Sequence, residues 1–331
     1  MIMHFFSQLM LSTLLLQLFP VDGADIQRLA TQTEMSSMPS SVYDAFSLPS
    51  VHLPESASVR PVKLKPSSRG VVTSAVSAIV VDRKSKQILF AKNMDAPRSI
   101  GSITKLMTAF VFLSTNPDLN TTASLETDDF RSGGVQHLLL NEQATVKDLL
   151  YASLISSDNS ATASLVRLSR MTHAEFVKKM NEAAEKMGMQ DTTFVDPTGL
   201  SPKNKSVVYD IVKMLDHVSQ NEIIRDATEH DMFTIKGASG KSYVLKSTDQ
   251  LLSSFINQSP YRVIAGKTGF LPEAGYCLGT VVTYEGAGDV IVVVLGSDTN
   301  SNRFQDIKSL VVWTYNTFKW PEALSYAAKN S

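Results

Sequence analysis

"GSITKLMTAF", residues 101–110, sets a serine three positions before a lysine where an apolar run begins. A helix starting near Ile103 would carry Ser102 in its first turn and Lys105 one turn on, on the same face. Two readings fit that placement. Serine is a preferred helix cap and lysine a good helix former, so the pair can be structural and solvated. In the other reading, the partial positive charge and free N–H groups of the helix start favour a developing alkoxide, and a desolvated amine serves the hydroxyl as base. Ile103, Leu106, Met107 and Phe110 surround the lysine, where an idle ammonium would be costly to bury. Composition alone supplies about one Ser-x-x-Lys in a chain of this size, so the motif needs company.

Working outward, "SAVSAIVVD" (74–82) and "QILFAKN" (87–93) are β-rich runs around a polar "RKSK", a hairpin pattern. From about 123 to 235 the pattern is mostly helical. "TVKDLLYASLI" (145–155) opens with Thr145 and Asp148 in capping-box spacing, "HAEFVKKMNEAAEKMGM" (173–189) is amphipathic and stops at Gly188, and "VVYDIVKMLDHVSQ" (207–220) is another such helix. Strands return in "YCLGTVVTY" (276–284) and "VIVVVLGS" (290–297), and "RFQDIKSLVVWTYNTF" (303–318) closes the domain as a helix. Strands at both ends with helices between predict an α/β (α+β) fold: an antiparallel sheet flanked by helices, with an inserted, mainly helical region at about 123–250.

Two further stretches can carry chemistry. In "LISSDNSATASL" (154–165), Ser157, Asp158 and Asn159 fall between two helices. A hydroxyl there can relay a proton and an amide can bind both groups of a peptide bond; as a bland alternative, the same residues make an ordinary capped turn. In "VIAGKTGFLPEAGYC" (263–277), Lys267, Thr268 and Gly269 sit between strand-like runs, on a strand edging a cleft or in a hairpin turn. Lysine and threonine can hold a carboxylate, and glycine lets a substrate backbone approach the strand edge.

The ordered trio is more specific than its parts. Ser-x-x-Lys, Ser-Asp-Asn and Lys-Thr-Gly follow in that order, with 55 residues from Ser102 to Ser157 and 108 from Asn159 to Lys267. That order is the signature of penicillin-binding proteins and class A β-lactamases. The sequence resembles the serine-type, low-molecular-mass penicillin-binding proteins of the D-alanyl-D-alanine carboxypeptidase family from about 74 to 318. "TFVDPTGLSPKNKS" (193–206) and "VVVLGSDTNSNRFQD" (292–306) look similar too. One departure is Ser206-Val207-Val208, where the family usually has Ser-Thr-Ala.

The resemblance implies a penicillin-binding protein/β-lactamase-like fold and a D-alanyl-D-alanine carboxypeptidase acting on peptidoglycan stem peptides. Ser102 would be the nucleophile, Lys105 its base, and Ser157 a proton relay tuned by Lys267. Asn159, Lys267, Thr268 and Gly269 would bind substrate, and the backbone N–H groups of Ser102 and Phe270 would form the oxyanion hole. β-Lactam antibiotics would be covalent inhibitors, and no cofactor or metal is implied. The histidines agree, since His137, His173, His217 and His230 lack close metal-ligand spacing. Three alternatives differ in chemistry. A D,D-endopeptidase cutting cross-links fits the compact chain and its Ser-acidic-Asn motif. A serine β-lactamase of class A needs a Glu-x-x-Leu-Asn segment, absent between Asn159 and Lys267. A non-catalytic wall-binding protein would not need all three motifs intact.

The 331 residues are 43% hydrophobic with a formal net charge of -1, a globular composition with no basic surface for nucleic acid. Cys277 is the single cysteine, so an intramolecular disulfide is excluded. "FFSQLMLSTLLLQLF" (5–19) followed by "VDGA" (21–24) reads as a signal peptide over 1–24, although "MIMHFF" lacks the usual Lys or Arg. The expectation is export, to the periplasm or cell-wall space. A Ser- and Pro-rich stretch, 25–71, reads as a disordered linker before a catalytic domain at 72–320 and a tail at 321–331. The aromatics of 313–328 read mostly as core, with peripheral membrane contact the lesser reading.

Overall fold

The structure, a computed structural model, describes residues 60–134 and 136–321. The expected signal peptide, residues 25–59 of the expected linker and residues 322–331 of the tail lie outside the described residues. Five antiparallel strands build the main sheet: β1 (Ser77–Asp82), β2 (Ile88–Lys92), β3 (Tyr261–Leu271), β4 (Gly275–Tyr284) and β5 (Val290–Ser297). Their order is β3-β4-β5-β1-β2, so the N-terminal hairpin joins the C-terminal strands through β1 and β5.

Alternation along the central strands explains why they are apolar throughout. Side chains at successive positions face opposite sides of a sheet, and here both sides are covered. Ile79, Val81, Ile291, Val293 and Leu295 belong to the large core shared with the helical region. Ala78, Val80, Val290, Val292 and Val294 pack instead with Phe304, Ile307, Leu310 and Val311 of the last helix. The product is a three-layer arrangement with β3 left as an edge.

Seven α-helices occur among the described residues: α1 (Thr104–Leu113), α2 (Val146–Ile155), α3 (Asn159–Leu168), α4 (His173–Lys186), α5 (Val208–Val218), α6 (Glu222–Glu229) and α7 (Asn300–Thr317). The capping signals act as their chemistry dictates. The Asp148 N–H donates to Thr145 Oγ1 and the Thr145 N–H to Asp148 Oδ2, both at 3.1 Å, satisfying two backbone donors at the start of α2. Gly188, just past α4, has φ +72, the left-handed geometry that ends a helix at least cost for glycine.

Two elements differ from the sequence reading. Residues Met232–Lys236 and Ser242–Lys246 form a two-stranded ribbon, where the sequence pattern predicts mostly helix to about 235. Ile235, Tyr243 and Leu245 are buried while Met232 and Val244 are exposed, a period of two that β-branched and aromatic residues favour. Val62–Lys63 pairs with Phe318–Lys319, so among the described residues regular structure is present ten residues before the boundary expected at Val72. Trp320 is buried and donates to Asp82 Oδ1 at 2.7 Å, a core role for that aromatic.

Candidate active site

The apolar run that opened the sequence reading becomes a 3-10 turn, Gly101–Ile103, leading into α1. Neither the turn nor the helix has a side-chain cap bond, so Ser102 does not spend its hydroxyl on capping. Its Oγ instead accepts from Lys105 Nζ at 3.0 Å. The Lys105 side chain is fully buried, and its ammonium nitrogen also donates to Asn159 Oδ1 at 2.7 Å and to the Thr198 carbonyl at 2.5 Å. Burial lowers its pKa from 10.5 to about 7, against the raising influence of Asp196 and Asp158.

The turn between α2 and α3 supplies the second motif. Ser157 takes a positive φ of 62°, uncommon for a residue with a side chain. Asp158 caps α3 by accepting from the Ala161 N–H at 2.9 Å, and its other oxygen accepts from the His137 N–H at 3.0 Å. That anchoring presents Ser157 and Asn159 on the same side as Lys105. Asn159 Nδ2 is tied in turn to the Gly133 carbonyl at 2.7 Å.

The third motif lies on β3, at the sheet edge. Lys267 is buried and its Nζ donates to Ser157 Oγ at 3.0 Å. Burial, then the charges of Lys105 and Arg303, push its pKa well below the usual lysine value, while Asp249 opposes them. Thr268 and Thr248 share a hydroxyl hydrogen bond of 2.6 Å. A side chain at Gly269 would place its Cβ 2.4 Å from the Ile100 carbonyl, so only glycine lets β3 lie against the start of α1. A Cβ on Gly101 would fall 2.8 Å from the Phe270 nitrogen, which puts that N–H beside the turn that holds Ser102.

Ser102, Lys105 and Asn159 thus form one hydrogen-bonded group and Ser157 with Lys267 a second, with Thr268, Gly269 and Phe270 following Lys267 along β3. Chemically, the site holds a hydroxyl next to a buried amine whose pKa is lowered to about 7, and a second buried amine next to a second hydroxyl. Several contributors went unread in the sequence. Asp196 accepts from the Thr198, Leu200 and Ser201 N–H groups, fixing the turn whose Thr198 carbonyl receives Lys105. Arg303 Nη1 donates to the Gly269 carbonyl at 3.0 Å, steadying β3 from α7. The only hint of Asp196 was the "DPTGL" stretch itself, and carbonyl acceptors leave no residue-type signal.

A family model described as D-alanyl-D-alanine carboxypeptidase matches residues 65–299. The chain belongs to the D-alanyl-D-alanine carboxypeptidase family. It is 32% identical over 245 residues to the D-alanyl-D-alanine endopeptidase of Escherichia coli, covering 72% of this chain and 76% of that one. It is 28% identical over 251 residues to the D-alanyl-D-alanine carboxypeptidase DacF of Bacillus subtilis, covering 74% and 63%. Among solved structures, the Streptomyces K15 DD-transpeptidase superposes with a TM-score of 0.68 at 27% identity, over 75% of this chain and all of that one. The α+β fold of a D-alanyl-D-alanine peptidase, with its sheet edge beside a helical region, is therefore the scaffold that carries these side chains.

Proposed function

We propose that this carboxypeptidase-family protein is a serine D-alanyl-D-alanine peptidase of peptidoglycan in which Ser102 attacks the carbonyl of the penultimate D-alanine. The observation that carries the reading is the contact of Ser102 Oγ with a fully buried Lys105 whose pKa is lowered to about 7. Neutral Lys105 takes the hydroxyl proton as the Oγ–carbon bond forms. The oxyanion is held by the N–H groups of Ser102 and Phe270, an interaction worth about 3 kcal/mol of barrier in other such holes. As the carbon–nitrogen bond breaks, the proton taken by Lys105 passes through Ser157 to the leaving amine, which restores the neutral Lys105, with Lys267 tuning the relay. Water then hydrolyses the ester of Ser102.

Asn159 orients the substrate amide, while Lys267 and Thr268 hold the terminal carboxylate. A carboxylate arriving beside Lys267 favours its charged form again, offsetting the burial that lowers its pKa. Gly269 keeps the strand edge open to the substrate backbone. The relatives favour a second reading of the leaving group: those named endopeptidase are 32–33% identical, those named carboxypeptidase 24–29%. Cleaving a cross-link requires the same bond change, with a neighbouring stem peptide as the departing amine. This chemistry is extracytoplasmic, and the N-terminal apolar run supports export to the periplasm or cell-wall space.

Labelled penicillin tests the assignment. The protein should take up one label at Ser102, and Ser102→Ala should take up none; a label retained by that variant would sink it. Products from monomeric and cross-linked muropeptides then separate the two leaving groups by mass.

A further inference from the structure

Between the ribbon at 232–246 and β3, residues 247–251 tie the third motif to the second. The Thr248 N–H donates at 3.1 Å to the carbonyl of Ile155, the last residue of α2 and two before Ser157. The Thr248 hydroxyl shares its hydrogen bond with Thr268. Asp249, next along, is only 5% exposed. Its N–H donates to Ser247 Oγ at 3.1 Å, and its Oδ1 accepts from the Leu251 N–H at 2.9 Å. The other carboxyl oxygen, Oδ2, is buried with no hydrogen-bond partner among the described residues. A Cβ on Gly266 would fall 2.7 Å from it, so a glycine is what lets this carboxyl lie against β3, one residue before Lys267.

Buried carboxyl oxygens are rarely left unmatched, and no step at Ser102 uses this one. Its charge bears on two buried cations, Arg303 and Lys267. Arg303 Nη1 donates to the Gly269 and Cys277 carbonyls, at 3.0 and 3.4 Å, and its Nε is itself buried without a partner. The Lys267 hydrogen bonds go to Ser157 Oγ and the Thr268 carbonyl. Asp249 therefore reaches both cations through charge and not through a direct pair. Burial first, then Lys105 of α1 and Arg303 of α7, disfavour the charged form of Lys267, whereas Asp249 favours it. Burial raises the pKa of Asp249 to about 6, against the Leu251 N–H and the charges of Arg303 and Lys267, so it is mostly ionised above neutral pH.

Resting on the reading that Lys267 holds the terminal carboxylate, we propose that Asp249 is a positioning residue acting through Lys267: its buried charge, set against β3, keeps that amine protonated until the substrate arrives. A charge that makes no hydrogen bond to the amine favours the proton without occupying the donors. Those donors stay directed at Ser157 and open to the incoming carboxylate, which a direct ion pair with Asp249 would have to give up first.

The test compares an acyl-D-alanyl-D-alanine peptide with its C-terminal carboxamide, which has the same residues without the terminal charge. The ratio of their kcat/KM values cancels the protonation of Lys105, common to both, and reads the capture of the carboxylate. The unaltered protein should favour the carboxylate by about tenfold or more near neutral pH and lose that preference at alkaline pH, where Lys267 gives up its proton. Asp249→Asn keeps an oxygen for the Leu251 N–H but removes the charge. Its preference should vanish at a pH lower by about one unit, and return to the unaltered value on further acidification. Asp249→Ser, with the fold of both variants checked by melting, should show the same displacement. A limb that stays in place in both variants, or an equal loss with the two peptides at every pH, makes Asp249 a packing residue and overturns the proposal. An unaltered protein indifferent to the terminal charge condemns instead the placement of the carboxylate at Lys267, and the proposal with it.

Discussion

Helix α3 meets a cation at each end, and the two ends treat charge oppositely. At its start, Asn159 accepts from Lys105, which is fully buried with no carboxylate in direct contact and a pKa pushed down to about 7. At its end, Arg167 is bound by Asp129 through Nε and Nη2, at 3.0 and 2.7 Å, and by Glu126 at 2.8 Å. Those hydrogen bonds, Asp129 first, raise the pKa of Arg167. Burial alone disfavours a cation; a carboxylate fork restores it. The first end is therefore suited to giving up a proton, and the second to holding the loop at 126–129 onto the helix.

Replacing the lysine should break the comparison most severely. Lys105→Arg keeps a cation at the site, but a guanidinium stays protonated and cannot accept the proton of Ser102. Acylation by penicillin should fall by about a thousandfold or more, measured as label incorporated over time. Full acylation of that variant would remove Lys105 from proton transfer and make the two ends of α3 alike.

The pH profile sharpens the same contrast. Lys105 must be neutral to act, so the acylation rate should drop about tenfold per unit as pH falls below about 7. Asp158 raises the pKa of Lys105, and its removal favours the neutral amine. Asp158→Asn preserves a good helix cap and should move the acid limb to lower pH. A limb that stays in place would show that Asp158 acts only through the turn it holds.

At the other end, Arg167→Ala should cost about 2 kcal/mol of stability, because it strands the buried Asp129 carboxylate. Thermal melting would register the loss, while penicillin acylation well below the melting point should be unaffected. A variant that melts normally would mean Asp129 finds other partners.

The same contrast explains what could be read from residues alone. Ser102, Lys105, Ser157, Asn159 and Lys267 stood out because each needs a particular side chain, and a lysine amid Ile103, Leu106 and Met107 is costly unless it is used. The helices with capping boxes and the apolar central strands were legible from local periodicity. Asp196 was not, since its work is to shape a turn that offers a backbone carbonyl. Arg303 lies 34 residues beyond the Gly269 carbonyl it supports, and Val62–Lys63 finds its partner strand more than 250 residues away. Pairings of two residues over such distances leave no local pattern. The ribbon at 232–246 was hidden by the helical segment preceding it.

A third cation marks the weak limit of the series. Lys86 Nζ lies 2.5 Å from Asp216 Oδ2, a shorter contact than Arg167 makes with either of its carboxylates, yet its side chain is 55% exposed. Solvent screens that attraction and side-chain entropy opposes it. Asp216 also keeps Arg83 at 3.0 Å when the lysine is gone. Lys86→Gln should therefore change stability by less than about 0.5 kcal/mol, with a smaller difference still at high salt. A loss near that of Arg167→Ala would mean that contact distance, and not burial, ranks these three cations, and the account of Lys105 as a base made by burial would have to be rebuilt on distance as well.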